Sequence, residues 1–139
     1  MSNIGSNEKL PEAIDGFVKW DDERGITAGS TADAQWIKLL EEVIELYAAL
    51  HPEKSADGIK YAVLAEVNRL HRKGKIKPIP TNDDPQPHLS DAVGDSLKCL
   101  TSVANLSGVN LTEASLGALA IINNRKGSLD PTTGIWEKE

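Results

Sequence analysis

The sequence predicts an all-α fold: a bundle of about five helices that oligomerises and ends in a short hairpin-like tail. Three observations carry this. Apolar residues recur every third or fourth position along most of the chain. Aromatic residues make up only 4% of 139 residues, so a monomer would have a lean core that association would relieve. The turn signals Asp130-Pro131 and Thr133-Gly134 mark the tail as a hairpin rather than a further helix.

Leu10, Ile14, Phe17 and Val18 predict a first helix over Asn7 to Asp21, with Pro11 in its first turn. A loop is expected over Gly25 to Ser30. Thr31 or Asp33 can cap a second helix that runs to Leu50 and stops before His51-Pro52. Its apolar positions, among them Trp36, Leu39, Leu40, Val43, Ile44 and Tyr47, exceed one narrow stripe, so much of its circumference should be buried. A third helix is expected from Ala56 to Arg72, stopped by Gly74.

The segment Lys75 to Ser90 holds four of the seven prolines and is expected to be a long loop with no helix inside it. It leads directly into Asp91, so its position should affect access to whatever Asp91 serves. Ser90 is the expected N-cap of a fourth helix, Asp91 to Ser107. Asn110 and Glu113 have capping-box spacing and open a fifth helix reaching about Arg125.

Length and composition fit a single domain spanning residues 1–139. The formal net charge of -6 argues against a nucleic-acid polymer as partner. One cysteine, Cys99, excludes an intrachain disulfide and a cysteine zinc cluster, and its apolar neighbours predict a buried small hydrophobe. No apolar run approaches the roughly 20 residues of a membrane span, and Met1 to Leu10 has no signal-peptide core. A cytoplasmic protein without membrane contact is expected.

Two clusters of acids carry the chemistry. Glu41, Glu42 and Glu45 fall on one flank of the second helix, and Asp91 and Asp95 on one flank of the fourth. If these flanks meet, each pair of carboxylates about 6 Å apart repels by roughly 3 kcal/mol at an effective dielectric near 20. A hard divalent cation removes that repulsion, and oxygen-only donors suit Mg2+ or Mn2+. Two solvated flanks that never meet are the competing reading.

The order of the pieces resembles the MazG-like family of all-α nucleoside triphosphate pyrophosphohydrolases, in particular its phage-type members. The resemblance rests on Lys38-Leu39-Leu40-Glu41-Glu42-Val43-Ile44-Glu45-Leu46, then Asp91-Ala92-Val93-Gly94-Asp95, then Asn124-Arg125-Lys126-Gly127. Glu23-Arg24-Gly25-Ile26, Gln35 and the closing Gly134-Ile135-Trp136-Glu137-Lys138-Glu139 are also similar. The resemblance implies a homodimer or homotetramer that uses Mg2+ to cleave a (deoxy)nucleoside triphosphate at the α-phosphorus, releasing the monophosphate and pyrophosphate. Metal ligands carried over are Glu42, Glu45, Asp91 and Asp95, with Glu41 or Glu42 as the base or water-orienting group. It also implies a cytoplasmic setting, that of the host for a phage protein, and a guanine nucleotide, dGTP or GTP, as substrate.

The chain departs from the family pattern at three points. The second acidic motif has Ala92 three residues before Asp95, and Asp91 lies one residue earlier. The stretch between Glu45 and Asp91 is longer than usual. Ala120-Ile121 stands where an Asn-Lys pair is common, so phosphate contacts fall to Lys38, Arg125 and Lys126. Arg125 and Lys126 can also simply complement a helix dipole, and Lys38 can pair within its helix. Ile14, Phe17, Trp20 and Trp36 are the base-binding candidates, with core packing as the competing role of the tryptophans. Trp136 is expected to make an oligomer or docking contact. His51, His71 and His88 are too widely spaced for a metal motif. A second class of function, a helical interaction module that has lost catalysis, follows from Ala92 and Ile121.

Overall fold

The structure is a computed structural model in which residues 7–139 are described. The N-terminal reading of Met1 to Leu10 therefore lies partly outside the described residues. Among the described residues there are six helices and one antiparallel strand pair: α1 (Leu10–Glu23), α2 (Ile26–Gly29), α3 (Ala32–Leu50), α4 (Ala56–Arg72), α5 (Pro85–Leu106), α6 (Leu111–Asn123), β1 (Gly127–Leu129) and β2 (Trp136–Lys138). They fall into two compact units, Met1–Thr31 with Asp84–Glu139, and Ala32–Asp83. No helix among the described residues is long and apolar enough to cross a membrane.

In the first unit α1 packs on α6. Ala13 is fully buried, and Gly16 faces the Leu119 side chain so closely that a Cβ at position 16 would collide with it. Lack of a side chain at Gly16 thus sets the approach of the two helices. Trp20 is buried at the far end of the same face. Gly25, at φ 79°, takes the left-handed conformation that ends α1. The chain then makes one further helical turn, α2, closed by Gly29 N–H to the Gly25 carbonyl and Ser30 N–H to the Ile26 carbonyl, both 2.9 Å. A short helix stands where a loop was expected, because Ile26 is buried there.

α6 begins as expected: Asn110 accepts a 2.9 Å hydrogen bond from Glu113 N–H. It ends at Asn123, two residues earlier than expected. The tail is a hairpin, with Gly127 opposite Lys138, Ser128 opposite Glu137 and Leu129 opposite Trp136. It is tied to α2 by the Ser30 hydroxyl, which donates to the Gly134 carbonyl at 2.6 Å.

The Pro-rich segment is shorter than expected as a loop. Residues 75–84 are irregular, but α5 starts at Pro85, and Ser90 is interior to it rather than its cap. Asp84 is the true N-cap, its carboxylate accepting from Gln86 N–H at 3.0 Å. Pro85 and Pro87 both lie in the first turn, where the N–H groups that proline lacks have no helical acceptor.

In the second unit α3 and α4 pack on one another across residues 51–55. Ser55 caps α4 by accepting from Gly58 N–H at 3.1 Å. Arg69, His71 and Arg72 fall in the last turn of α4, complementing its dipole. The expectation that α3 is buried around much of its circumference is not met within the chain. Ala34 alone is buried on it, while Trp36, Leu39 and Val43 are each more than half exposed. One partner helix can cover only one stripe. Cys99 is likewise exposed on α5, not buried, because its flank has no cover in the first unit.

Candidate functional site

α3 presents its acids on successive turns. Lys38 Nζ sits 2.9 Å from Glu41 Oε2, so the intrahelical pairing foreseen as one role for Lys38 is the one adopted. One turn on, the Glu42 carboxyl is held above the ordinary glutamate range, first by partial desolvation, then by the charge of Glu45 and a hydrogen bond with it. Lys38 opposes that shift and Glu41 adds to it. A proton or a cation relieves the repulsion between two carboxylates one turn apart. Their donors are all oxygen, a set that fits Mg2+ or Mn2+.

Asp91 and Asp95 belong to α5, in the other unit. They stand exposed one turn apart, and neither carries an ion pair among the described residues. At the position between them, the Ala92 carbonyl accepts the Ser96 hydroxyl at 2.7 Å. The structure thus groups Glu42 with Glu45, and Asp91 with Asp95, each within its own helix. Among the described residues no three His, Cys, Asp or Glu side chains are grouped to hold a metal ion.

Arg125 and Lys126 lie between α6 and β1 with exposed side chains. Their backbone is tied down: Arg125 N–H donates to the Ile122 carbonyl at 3.0 Å, and the Lys126 carbonyl accepts from Glu139 N–H at 2.8 Å. Two exposed cations therefore stand on an anchored segment.

The base-binding candidates divide. Ile14 and Trp36 are exposed and Phe17 is half-buried. Trp20 is core: 8% exposed, its Nε1–H donates to the Ile122 carbonyl at 3.1 Å, and Trp136 meets its ring edge-on at 4.9 Å between centroids. Trp136 is half-buried, with one edge of its ring against Trp20. His51 lies 3.5 Å from Glu53, His71 falls in the last turn of α4 and His88 in the first turns of α5.

Arg24 was given no role from sequence. Its guanidinium lies 5.7 Å from the Trp20 ring centroid and donates to the Asn123 carbonyl at 3.4 Å. The spacing of Trp20 and Arg24, one helical turn, was the available signal.

No protein-family model matches the chain, and no curated protein or solved structure matches it either.

Proposed function

We propose that the protein is a Mg2+-dependent (deoxy)nucleoside triphosphate pyrophosphohydrolase that releases a nucleoside monophosphate and pyrophosphate. The observation that carries this reading is the Glu42–Glu45 carboxyl pair, with a raised Glu42, one turn from the Lys38–Glu41 ion pair. Adjacent carboxyls of this kind are costly to leave charged and empty, and such sites cluster where metal or proton chemistry is done.

Glu42 and Glu45 on α3 are the residues that would hold a cation, and Asp91 and Asp95 on α5 would be a second carboxylate pair for one. When bound, it would supply Lewis-acid stabilisation of the phosphate oxygens. Glu41 or Glu42 would accept the proton of the attacking water. Water attacks the α-phosphorus, the α–β phosphoanhydride breaks, and Arg125 and Lys126 offset the charge gathering on pyrophosphate. Lys38 has to leave Glu41 to contact phosphate. Of the base-binding candidates, Trp36 is the exposed aromatic that could stack on a base, and a guanine base is the proposed occupant.

We also propose that two or four copies associate through the exposed apolar faces of α3 and α5. Val93 is 64% and Trp36 59% exposed, and faces of this kind mark interfaces. The deciding experiment is a panel of the eight common ribo- and deoxyribonucleoside triphosphates with Mg2+, products separated by chromatography. Monophosphate plus pyrophosphate is expected. A protein that turns over none of them is the interaction module to which Ala92 and Ile121 point.

A further inference from the structure

The backbone that carries Arg125 and Lys126 is braced at both ends by one aromatic cluster. Upstream, the Ile122 carbonyl accepts two N–H groups, Arg125 N–H at 3.0 Å and Trp20 Nε1–H at 3.1 Å. The next carbonyl, of Asn123, accepts from Arg24 Nη2 at 3.4 Å. Downstream, Gly127 lies against Trp136, and a Cβ at position 127 would collide with the Trp136 ring and the Glu137 carbonyl. Trp136 in turn meets Trp20 edge-on, with 71° between the ring planes. The side chains of Arg125 and Lys126 lie outside this bracing and stay exposed.

Arg24 is placed at a cost. Its Nε is buried with no hydrogen-bond partner among the described residues. A buried unpaired donor is unfavourable, so the contacts of this guanidinium with Trp20 and Asn123 must compensate. A simple surface arginine would have escaped to water.

We propose that Trp20 and Arg24 are positioning residues for a polyphosphate anion held by Arg125 and Lys126, acting through the exit turn of α6. This rests on the pyrophosphohydrolase reading. A fixed backbone leaves only side-chain freedom to be lost when a pyrophosphate group is gripped, so affinity depends on the brace.

The test uses Trp20→Phe, which keeps an aromatic ring but removes the Nε1–H donor, and the pair Arg24→Met and Arg24→Lys. Three quantities are measured: hydrogen exchange of the Arg125 amide, affinity for inorganic pyrophosphate in Mg2+ by calorimetry, and Tm. Trp20→Phe should speed Arg125 exchange and weaken pyrophosphate binding about fivefold, the loss expected for one neutral hydrogen bond, with the rest of the fold intact. Arg24→Met should act in the same direction and Arg24→Lys should recover most of the loss. If Trp20→Phe does not fold, the Arg24 pair decides alone. Faster Arg125 exchange with unchanged pyrophosphate affinity would overturn the proposal, leaving a brace for the hairpin only. A wild-type protein that binds no pyrophosphate would instead overturn the pyrophosphohydrolase reading and this inference with it.

Discussion

Glu45, one turn along α3 from Glu42, adds its charge to the partial burial that raises the Glu42 carboxyl above its ordinary pKa. The shift has a definite sign in stability. A carboxyl whose folded pKa lies above its unfolded value, about 4.3 for glutamate, binds its proton more readily in the folded state. Its stabilising contribution is complete below the unfolded value and is lost as pH rises through the raised folded value. Without metal, Glu42→Gln should therefore gain in Tm relative to wild type as pH is raised from 4 to 7. The gain should be small, since Glu42 is largely exposed. Parallel melting curves in a chelator across that range check it; a constant difference would contradict it.

Cation binding should reverse the same penalty. Mg2+ or Mn2+ is expected to raise Tm, with a stabilisation of about 2.7 kcal/mol at a hundredfold excess over Kd. Glu45→Gln should lose most of that gain while its metal-free form is at least as stable as wild type. Calorimetric scans with and without metal measure both, and a wild type indifferent to metal would count against the acids as ligands.

Product identity separates the proposed chemistry from its neighbours. Attack at the α-phosphorus yields pyrophosphate with no orthophosphate in the first turnover. Phosphorus NMR of the early reaction reads this directly; a nucleoside diphosphate with orthophosphate would exclude the assignment.

Leu89, Val93, Leu97 and Leu100 recur at helical spacing along α5, and all are exposed. A charge placed among them should be tolerated by the isolated chain and refused by an interface. Leu97→Asp is expected to shift the protein from dimer or tetramer to a 15.0 kDa monomer in sedimentation experiments. Wild type already monomeric at micromolar concentration would dispose of the assembly proposal.

Asp84 caps α5 at the edge of the Pro-rich segment. Asp84→Ala should destabilise the protein by about 1 kcal/mol, within the 0.5–2 kcal/mol typical of lost caps. Hydrogen exchange should rise first in residues 85–90. Deleting residues 82–86 would remove this cap together with the loop, so Asp84→Ala is the cleaner probe.

Local patterns were legible in the sequence wherever the cause is local. The α4 boundaries, the Asn110 cap of α6, the stop at Gly74 and the closing hairpin each follow from a few adjacent residues whose preferred dihedrals and hydrogen bonds suffice. The start of α5 lies earlier than proline as a helix breaker would put it, because proline's effect depends on its position relative to a cap, and Asp84, six residues before Ser90, is the cap that forms. The turn α2 was missed because only burial of Ile26 makes that turn worth forming. Within the candidate site, the spacing of Glu42 and Glu45 was enough to place them together, since a helix sets distances at three and four residues by itself.

Contacts across long stretches of chain were beyond the sequence. Trp20 and Ile122 are 102 residues apart, and Ser30 and Gly134 are 104 apart. Nothing in either local pattern indicates that an indole on α1 will meet the end of α6. The sequence alone determined roughly where α1, α3, α4 and α6 run and which acids share a flank, because those follow from one repeating backbone geometry. Only the tertiary structure decided that Trp20 is core and meets Trp136, that Cys99 and the outer face of α3 are exposed, and that Arg24 reaches the turn leading to Arg125, because burial is set by which distant surfaces meet.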